Sequence, residues 1–135
     1  MGASKKPSVM VVDDDRMTQE LLRFILRNES FPIVGNASNG ADAVIQCGEL
    51  KPDVVLLDIN MPKMDGIEAL EEIRKASPET LVLMVSGDST MEKVKEALDK
   101  GAAGFIVKPI KPSSVLDKIT FCIKNKKMAL ATPRG

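Results

Sequence analysis

The run Val54-Val55-Leu56-Leu57-Asp58, at residues 54–58, decides the fold. Four apolar residues, two of them β-branched, lead directly into a carboxylate. A continuous apolar run of this length is typical of a strand that is buried on both faces. Helical patterns lie on both sides of the run, and such alternation predicts a parallel sheet. The sequence therefore predicts a buried parallel strand whose carboxyl end carries Asp58.

Three other short apolar runs also end on polar or charged side chains. They are residues 9–12 before Asp13 and Asp14, residues 81–85 before Ser86, and residues 105–107 before Lys108. Parallel strands place their carboxyl ends on one edge of the sheet, so these side chains should converge on one crevice. Carboxylates that share a crevice repel each other unless a cation lies among them.

Strand and helix patterns alternate five times along the chain. The predicted strands are residues 8–12, 33–37, 54–57, 81–85 and 105–107. Connections between parallel strands are right-handed, and this rule leaves only a few possible strand orders. We predict a doubly wound α/β fold, (βα)5, with a five-stranded parallel sheet in the order 2-1-3-4-5 and helices on both faces. Ligands bind such sheets at the switch point between strands 1 and 3, where Asp13 and Asp14 would lie beside Asp58.

The helical segments carry apolar side chains at helical spacing. In helix 1, residues 16–28, the side chains expected on this face are Thr18, Leu21, Leu22 and Ile25. Helix 3 should stop at Ser77-Pro78, because the residue before a proline avoids the α region. Helix 4 should end at Lys100-Gly101, and helix 5 should begin at Ser114.

The composition is that of an ordinary globular domain, with 135 residues, 44% of them hydrophobic and 28% charged. The chain has no histidine, which excludes histidine bases and histidine metal ligands. Its apolar runs are too short for a membrane span, and its N-terminus lacks the apolar region of a signal peptide. We therefore expect a cytoplasmic protein without a membrane partner. Cys47 and Cys122 are predicted to be buried free thiols.

Charge is unevenly distributed, although the formal net charge is zero. All 19 acidic residues but only 13 of the 19 basic residues lie in residues 7–123, which gives that segment a net charge of −6. An acidic folded part argues against nucleic-acid binding.

Four segments together resemble the receiver domain of two-component response regulators. They are Val-Val-Asp-Asp-Asp at 11–15, Leu-Leu-Asp-Ile-Asn-Met-Pro-Lys-Met-Asp-Gly at 56–66, Val-Ser-Gly at 85–87 and Gly-Phe-Ile-Val-Lys-Pro at 104–109. The resemblance covers residues 7–124. Residues 1–6 are expected to form a flexible tail, and residues 125–135 a second tail or the start of a linker.

The resemblance implies that Asp58 accepts a phosphoryl group. Mg²⁺, or Mn²⁺, would be bound by Asp13, Asp14 and Asp58 and by the backbone carbonyl of Asn60, a set of oxygen ligands that suits a hard cation. The cation would cancel charge as a carboxylate approaches an anionic phosphoryl group. Lys108 would add a second positive charge on the phosphoryl oxygens.

The resemblance also implies a switch formed by Ser86 and Phe105. The phosphoryl oxygens would draw the Ser86 hydroxyl inward, and the Phe105 ring would rotate into the vacated space. The face made by helix 4, strand 5 and helix 5 would then change for its partners.

Three further expectations concern the rim of the crevice. The resemblance implies a cis peptide bond between Lys108 and Pro109. Gly66 would permit a crowded backbone after the loop that follows Asp58. Asn60 and Asp88 would flank the entrance and tune hydrolysis by orienting water.

Several residues also have simpler interpretations. Asp15 is expected to cap helix 1, and Asp65 to be an acid of the loop or first turn. Ser86 could be a strand-end hydroxyl bonded to the backbone, and Phe105 could fill the core.

Three functions compete at the level of sequence. The first is a signalling phosphoacceptor, not an enzyme in the usual sense, with self-catalysed phosphorylation and dephosphorylation. Its partners would be a sensor histidine kinase or histidine phosphotransfer protein, and a downstream protein or an output domain. The second is a Mg²⁺-dependent hydrolase with an aspartyl-phosphate intermediate. The third, a flavodoxin-like cofactor carrier, fits poorly because three aspartates would repel a phosphate after strand 1.

Overall fold

The sheet has the predicted architecture. The computed structural model describes residues 6–61, 63–88 and 90–131, with side chains through residue 126. Five parallel strands form one sheet, in the order β2-β1-β3-β4-β5. The strands are β1 (Val9–Val12), β2 (Ile33–Ala37), β3 (Val54–Asp58), β4 (Leu81–Ser86) and β5 (Gly104–Val107). The doubly wound fold expected from the sequence is therefore confirmed.

Five helices cover the two faces of the sheet. They are α1 (Arg16–Asn28), α2 (Gly40–Leu50), α3 (Gly66–Ala76), α4 (Met91–Asp99) and α5 (Pro112–Ala131). Alternate residues of a strand point to opposite faces. In β3, Val54 and Leu56 therefore pack with residues of α1 and α5, while Val55 and Leu57 pack with residues of α2, α3 and α4. Apart from Asp58 and Ser86 at their carboxyl ends, the central strands are apolar because both of their faces are buried.

The register of the central strands positions the site. Val12 of β1 is paired with Leu57 of β3, so the next residues, Asp13 and Asp58, lie at the same level on neighbouring strands. On the other side, Ser86 of β4 is paired with Val107 of β5, directly before Lys108. The parallel register thus brings together side chains that are as much as 95 residues apart in the chain.

Helix 1 differs from its predicted pattern. Its buried side chains are Gln19, Leu22, Ile25 and Leu26, whereas Leu21 is 41% exposed. The core stripe is therefore rotated away from Leu21 and includes a polar residue. Asp15 is the N-cap, as predicted, and its carboxylate accepts a hydrogen bond from the Thr18 backbone N–H.

The last helix begins earlier than predicted. It begins at Pro112 rather than Ser114, and proline is favoured in the first turn because it has no N–H to leave unpaired. The helix continues to Ala131, past residue 124, and the domain limit expected at that residue stays a prediction. Residues 132–135, and residues 1–5 of the expected N-terminal tail, lie outside the described part of the chain.

The predicted ends of α3 and α4 and the predicted state of the two cysteines are confirmed. Helix α3 ends at Ala76, before Ser77 and Pro78, and α4 ends before Lys100 and Gly101. Both cysteines are free and buried. Among the described residues, no helix combines the length and the hydropathy that crossing a bilayer would require.

Gly66→Ala should destabilise the fold, because the added Cβ would lie 2.4 Å from the Asp58 carbonyl oxygen and 2.5 Å from Ile59 Cα. We expect the free energy of unfolding to fall by roughly 1–3 kcal/mol, as measured by urea denaturation. Gly48→Ala in α2 is the matched control. Its Cβ would meet only the Ala76 Cβ, at 3.7 Å. The better helix propensity of alanine should therefore raise the free energy of unfolding by about 0.5–1 kcal/mol. Equal changes in the two variants would contradict the close approach at Gly66.

Candidate functional site

Three carboxylates meet at the carboxyl ends of β1 and β3. Oxygen atoms of Asp13, Asp14 and Asp58 all lie within 4.8 Å of one another. Asp13 is 1% exposed and Asp58 is 3% exposed, whereas Asp14 is exposed at the rim. The crevice expected from the sequence is therefore present, with two of its acids at the bottom and one facing solvent.

Lys108 reaches into the same crevice from the end of β5. Its Nζ lies 3.4 Å from Asp13 Oδ2 and 3.5 Å from Asp58 Oδ1. Its backbone N–H donates to the Ser86 carbonyl at 2.9 Å, which continues the β4–β5 pairing. The Lys108–Pro109 peptide bond is cis, as expected.

The positive charge of Lys108 does not balance the negative charge of the carboxylates in the crevice. Burial, together with the negative charge of Asp13, raises the pKa of the Asp58 carboxyl to about 6, against only partial opposition from Lys108. Burial also raises the pKa of Asp13. Each ionised carboxylate therefore costs free energy in the metal-free protein.

The donor set fits a divalent cation. Asp13 Oδ2 is buried and makes no hydrogen bond within the described structure, although the Lys108 ammonium lies nearby. A buried carboxylate oxygen without a donor is costly, and a metal ion would satisfy it. Three carboxylates offer the oxygen ligands that Mg²⁺ prefers. Asp13, Asp14 and Asp58 are the residues that could hold the ion.

Backbone contacts fix the directions of the two buried acids. Asp13 Oδ1 accepts from the Asp15 N–H at 2.8 Å, and Asp58 Oδ1 accepts from the Asn60 N–H at 3.3 Å. Asn60 therefore lies beside the Asp58 carboxylate, but the role of its carbonyl as a ligand stays a prediction. Each acid keeps its second oxygen for other partners.

The loop after β3 approaches the crevice closely. Gly66 donates its N–H to the Ile59 carbonyl at 2.7 Å, and its Cα lies against the Asp58 backbone, where no side chain fits. Asp65 caps α3 and forms a capping box with Glu68. This agrees with the expectation that Asp65 is an acid of the loop or first turn.

Ser86 and Phe105 lie where the switch was expected, but their behaviour stays a prediction. The Ser86 hydroxyl is fully buried and accepts from the Asp88 N–H at 3.0 Å, which matches the simpler, backbone-bonded interpretation in this state. Phe105 is 8% exposed and belongs to the core cluster of the α2–α3–α4 face. The ring is therefore inside in this structure.

Asp88 lies in the loop between β4 and α4. Its carboxylate accepts from the Thr90 N–H at 3.1 Å, and its side chain is exposed. A role in orienting water stays a prediction.

Sequence reasoning missed Gln19, which organises the floor of the site. Its Nε2 donates to the Asp13 carbonyl, to the Ala37 carbonyl at 3.3 Å and to Ser38 Oγ at 3.1 Å. Its Oε1 accepts from Asn36 Nδ2 at 3.1 Å. Gln19 thereby ties the end of β1 to the end of β2. The signal was available, because Gln19 occupies the helical position three residues before Leu22 on the buried face.

The model of the response regulator receiver domain matches residues 9–120. The chain belongs to this family. Among curated relatives, the chemotaxis protein CheY of Thermotoga maritima is 40% identical over 111 residues, which are 82% of this chain and 92% of the relative. CheY of Halobacterium salinarum is 42% identical over 112 residues, 83% of this chain and 92% of the relative.

Solved structures show the same relationship. The CheX–CheY–BeF3–Mg²⁺ complex from Borrelia burgdorferi contains a chain that is 37% identical, with a TM-score of 0.85 over 88% of this chain and 90% of that one. The response regulator domain of Thermotoga maritima CheB is 36% identical, with a TM-score of 0.83 over 89% of this chain and 98% of that one.

Asp58→Asn should stabilise the metal-free protein at high pH. Burial raises the pKa of the native carboxyl to about 6, above its ordinary value of 3.8. The stability that this group contributes is therefore fully present below pH 3.8 and is lost as the pH rises through 6. We expect the variant to gain roughly 1–3 kcal/mol in free energy of unfolding at pH 8. The gain should shrink toward pH 4.

Urea denaturation in EDTA across this pH range measures the difference. Asp117→Asn is the control, because Asp117 is exposed and its change should stay within about 0.5 kcal/mol at every pH. A gain at Asp58 that is the same at pH 4.5 and pH 8 would show that the carboxylate is not destabilised by burial.

Proposed function

We propose that this receiver takes a phosphoryl group from a phosphohistidine onto Asp58, with Mg²⁺ held by Asp13, Asp14, Asp58 and the Asn60 carbonyl. The observation that carries the proposal is the meeting of three carboxylates and one ammonium at the carboxyl ends of three strands. No folding requirement explains two buried acids at this position, because they repel each other there.

The chemistry follows from the positions of these groups. Bound Mg²⁺ would supply the positive charge that lets an anionic carboxylate approach an anionic phosphoryl group. An oxygen of Asp58 attacks the phosphorus, the bond to the donor imidazole nitrogen breaks, and that nitrogen keeps the bonding electron pair. Lys108, with its Nζ 3.5 Å from Asp58 Oδ1, is close enough to bind a phosphoryl oxygen of the resulting acyl phosphate.

Hydrolysis reverses the modification. Water attacks the same phosphorus and releases inorganic phosphate, and Asp58 returns to a free carboxylate. Asn60 and Asp88 are both exposed beside the site, where they can orient this water. We regard the protein as a signalling phosphoacceptor, since the only group it turns over is its own acyl phosphate.

The output would be a changed protein-binding face. Ser86 and Phe105 would couple the phosphoryl group to α4, β5 and α5. Exposed apolar side chains on this face support the proposal: Met91 is 86% exposed, Leu98 48% and Val107 45%. Val107 also lines a cavity of about 300 Å³, together with Phe105, Lys111 and Lys118, among others.

The partners follow from the same proposal. The donor would be a sensor histidine kinase or a histidine phosphotransfer protein, and the reader would be a downstream protein or an attached output domain. The CheY relatives and the CheX–CheY complex favour a protein partner in chemotaxis-type signalling. Domain limits at residues 7 and 124 stay predictions.

Intact-mass measurement after incubation with Mg²⁺ and acetyl phosphate tests the proposal. We expect one added phosphoryl group in the native chain, loss of that group in hydroxylamine, and no addition in EDTA. Asp58→Asn should gain nothing, whereas Asp117→Asn, with an exposed acid on α5, should behave as the native chain does. An adduct that survives hydroxylamine, or one that also forms on Asp58→Asn, would contradict the assignment of Asp58 as the phosphoacceptor.

A second readout separates the receiver from the hydrolase that the sequence left open. Excess p-nitrophenyl phosphate with Mg²⁺ should yield no sustained release of nitrophenol. Sustained turnover that Asp58→Asn abolishes would favour the aspartyl-phosphate hydrolase instead.

A further inference from the structure

A groove runs along the β2 edge of the sheet, on the side covered by α1. Its lower part is a cavity of about 470 Å³, lined by Arg23, Arg27, Phe31, Ile33, Val34, Gly35 and Asn36. β2 pairs only with β1, so the groove lies where the sheet ends. None of the side chains proposed for phosphoryl transfer line this cavity.

The lower groove combines positive charge with an apolar floor. Two arginines line it, and no acidic residue is among its lining side chains. Lys6 adds a third cation, with its Nζ 4.8 Å from the centre of the Phe31 ring. The floor includes Val34, which is 39% exposed. Such a surface fits a ligand that carries carboxylates beside an apolar side chain.

Arg23 has no strong partner among the described residues. Its Nε is buried and makes no hydrogen bond within the described structure. Its only ion pair there is with Glu20, at 3.8 Å between Nη1 and Oε2, and the Glu20 side chain is 58% exposed. An ion pair this long and this exposed contributes little to stability. The Arg23 side chain is 33% exposed, so it is accessible to a carboxylate from outside.

The upper part of the groove has a different character. An adjoining cavity of about 250 Å³ shares Arg23 and Asn36 with the lower one and extends to Ser38 and Asp14. Arg16 and Arg23 are offset here by Asp14 and Glu20. The groove thus changes from cationic near Phe31 to mixed and polar beside the carboxylate crevice.

We propose that this groove binds an extended acidic segment of a partner protein. The five residues of β2 span about 16 Å at the rise of a strand, which accommodates four or five extended residues. Carboxylates of the segment would bind Arg23 and Arg27, and a neighbouring apolar side chain would pack on Val34. Uncharged polar residues would follow toward Asn36 and Ser38.

The charge pattern argues for a protein segment over a nucleic acid. A nucleic-acid backbone carries a negative charge at every phosphate, so a strand continuing up the groove would bring phosphates against Asp14 and Glu20. A peptide can confine its acids to the lower half.

The inference goes beyond phosphoryl transfer and does not depend on it, and NMR tests it directly. The probe is the acetylated hexapeptide Asp-Leu-Asp-Ser-Gly-Ser, titrated into the ¹⁵N-labelled full chain. We expect amide shifts confined to Ile33–Ala37 and to α1 around Arg23 and Arg27, which weaken as salt rises. The matched peptide Lys-Leu-Lys-Ser-Gly-Ser should produce none of these shifts.

Arg27→Gln is the decisive variant, because Arg27 is exposed and its loss should not disturb the fold. We expect the affinity for the acidic peptide to fall about tenfold, because one charge-assisted contact is lost. Arg23→Gln should act similarly, and Lys118→Gln, in the separate cavity beside β5, should leave affinity unchanged.

Three results would overturn the inference. The first is the absence of shifts along β2 at low salt. The second is equal shifts with the lysine peptide, and the third is shifts that move to the Lys111–Lys118 cavity and respond to Lys118→Gln instead of Arg27→Gln.

Discussion

The repulsion between Asp13 and Asp58 is the constraint on which the site depends. The two carboxylates are almost fully buried at the same level of neighbouring strands. Burial and mutual repulsion raise the pKa of Asp58 to about 6, and the single ammonium of Lys108 does not offset them. The repulsion is an electrostatic cost that a bound divalent cation would remove, and in the proposed function the same cation would let Asp58 attack a phosphoryl group.

The rest of the fold keeps these charges in place. Strands β1 and β3 are apolar on both faces, so their burial holds the strand ends rigidly. Backbone N–H groups of Asp15 and Asn60 fix one oxygen of each acid, and Gln19 ties the floor of the crevice to β2. The hydrophobic core thereby keeps together two carboxylates whose charges repel each other.

The sheet order and the crevice could be predicted because each central strand is one uninterrupted apolar run that ends in a functional residue. The runs before Asp58 and Ser86 show this most clearly. Helix 1 was harder, because Leu21 and Gln19 compete for the core face and periodicity favours the apolar residue. The structure buries Gln19 instead, since its amide satisfies backbone carbonyls of two strands, and these partners are distant in sequence. The groove beside β2 was likewise beyond prediction, because it joins α1 residues to strand-edge residues that no local pattern connects.

The pH dependence of Mg²⁺ affinity tests the central claim most directly. Isothermal titration of the native chain with Mg²⁺ between pH 5 and pH 8 should show affinity that is nearly constant above pH 7. Below the Asp58 pKa of about 6, it should fall by about tenfold per pH unit, because one proton must leave a ligand as the ion binds. Affinity that does not change across this range, or that Asp58→Asn leaves intact, would contradict the account.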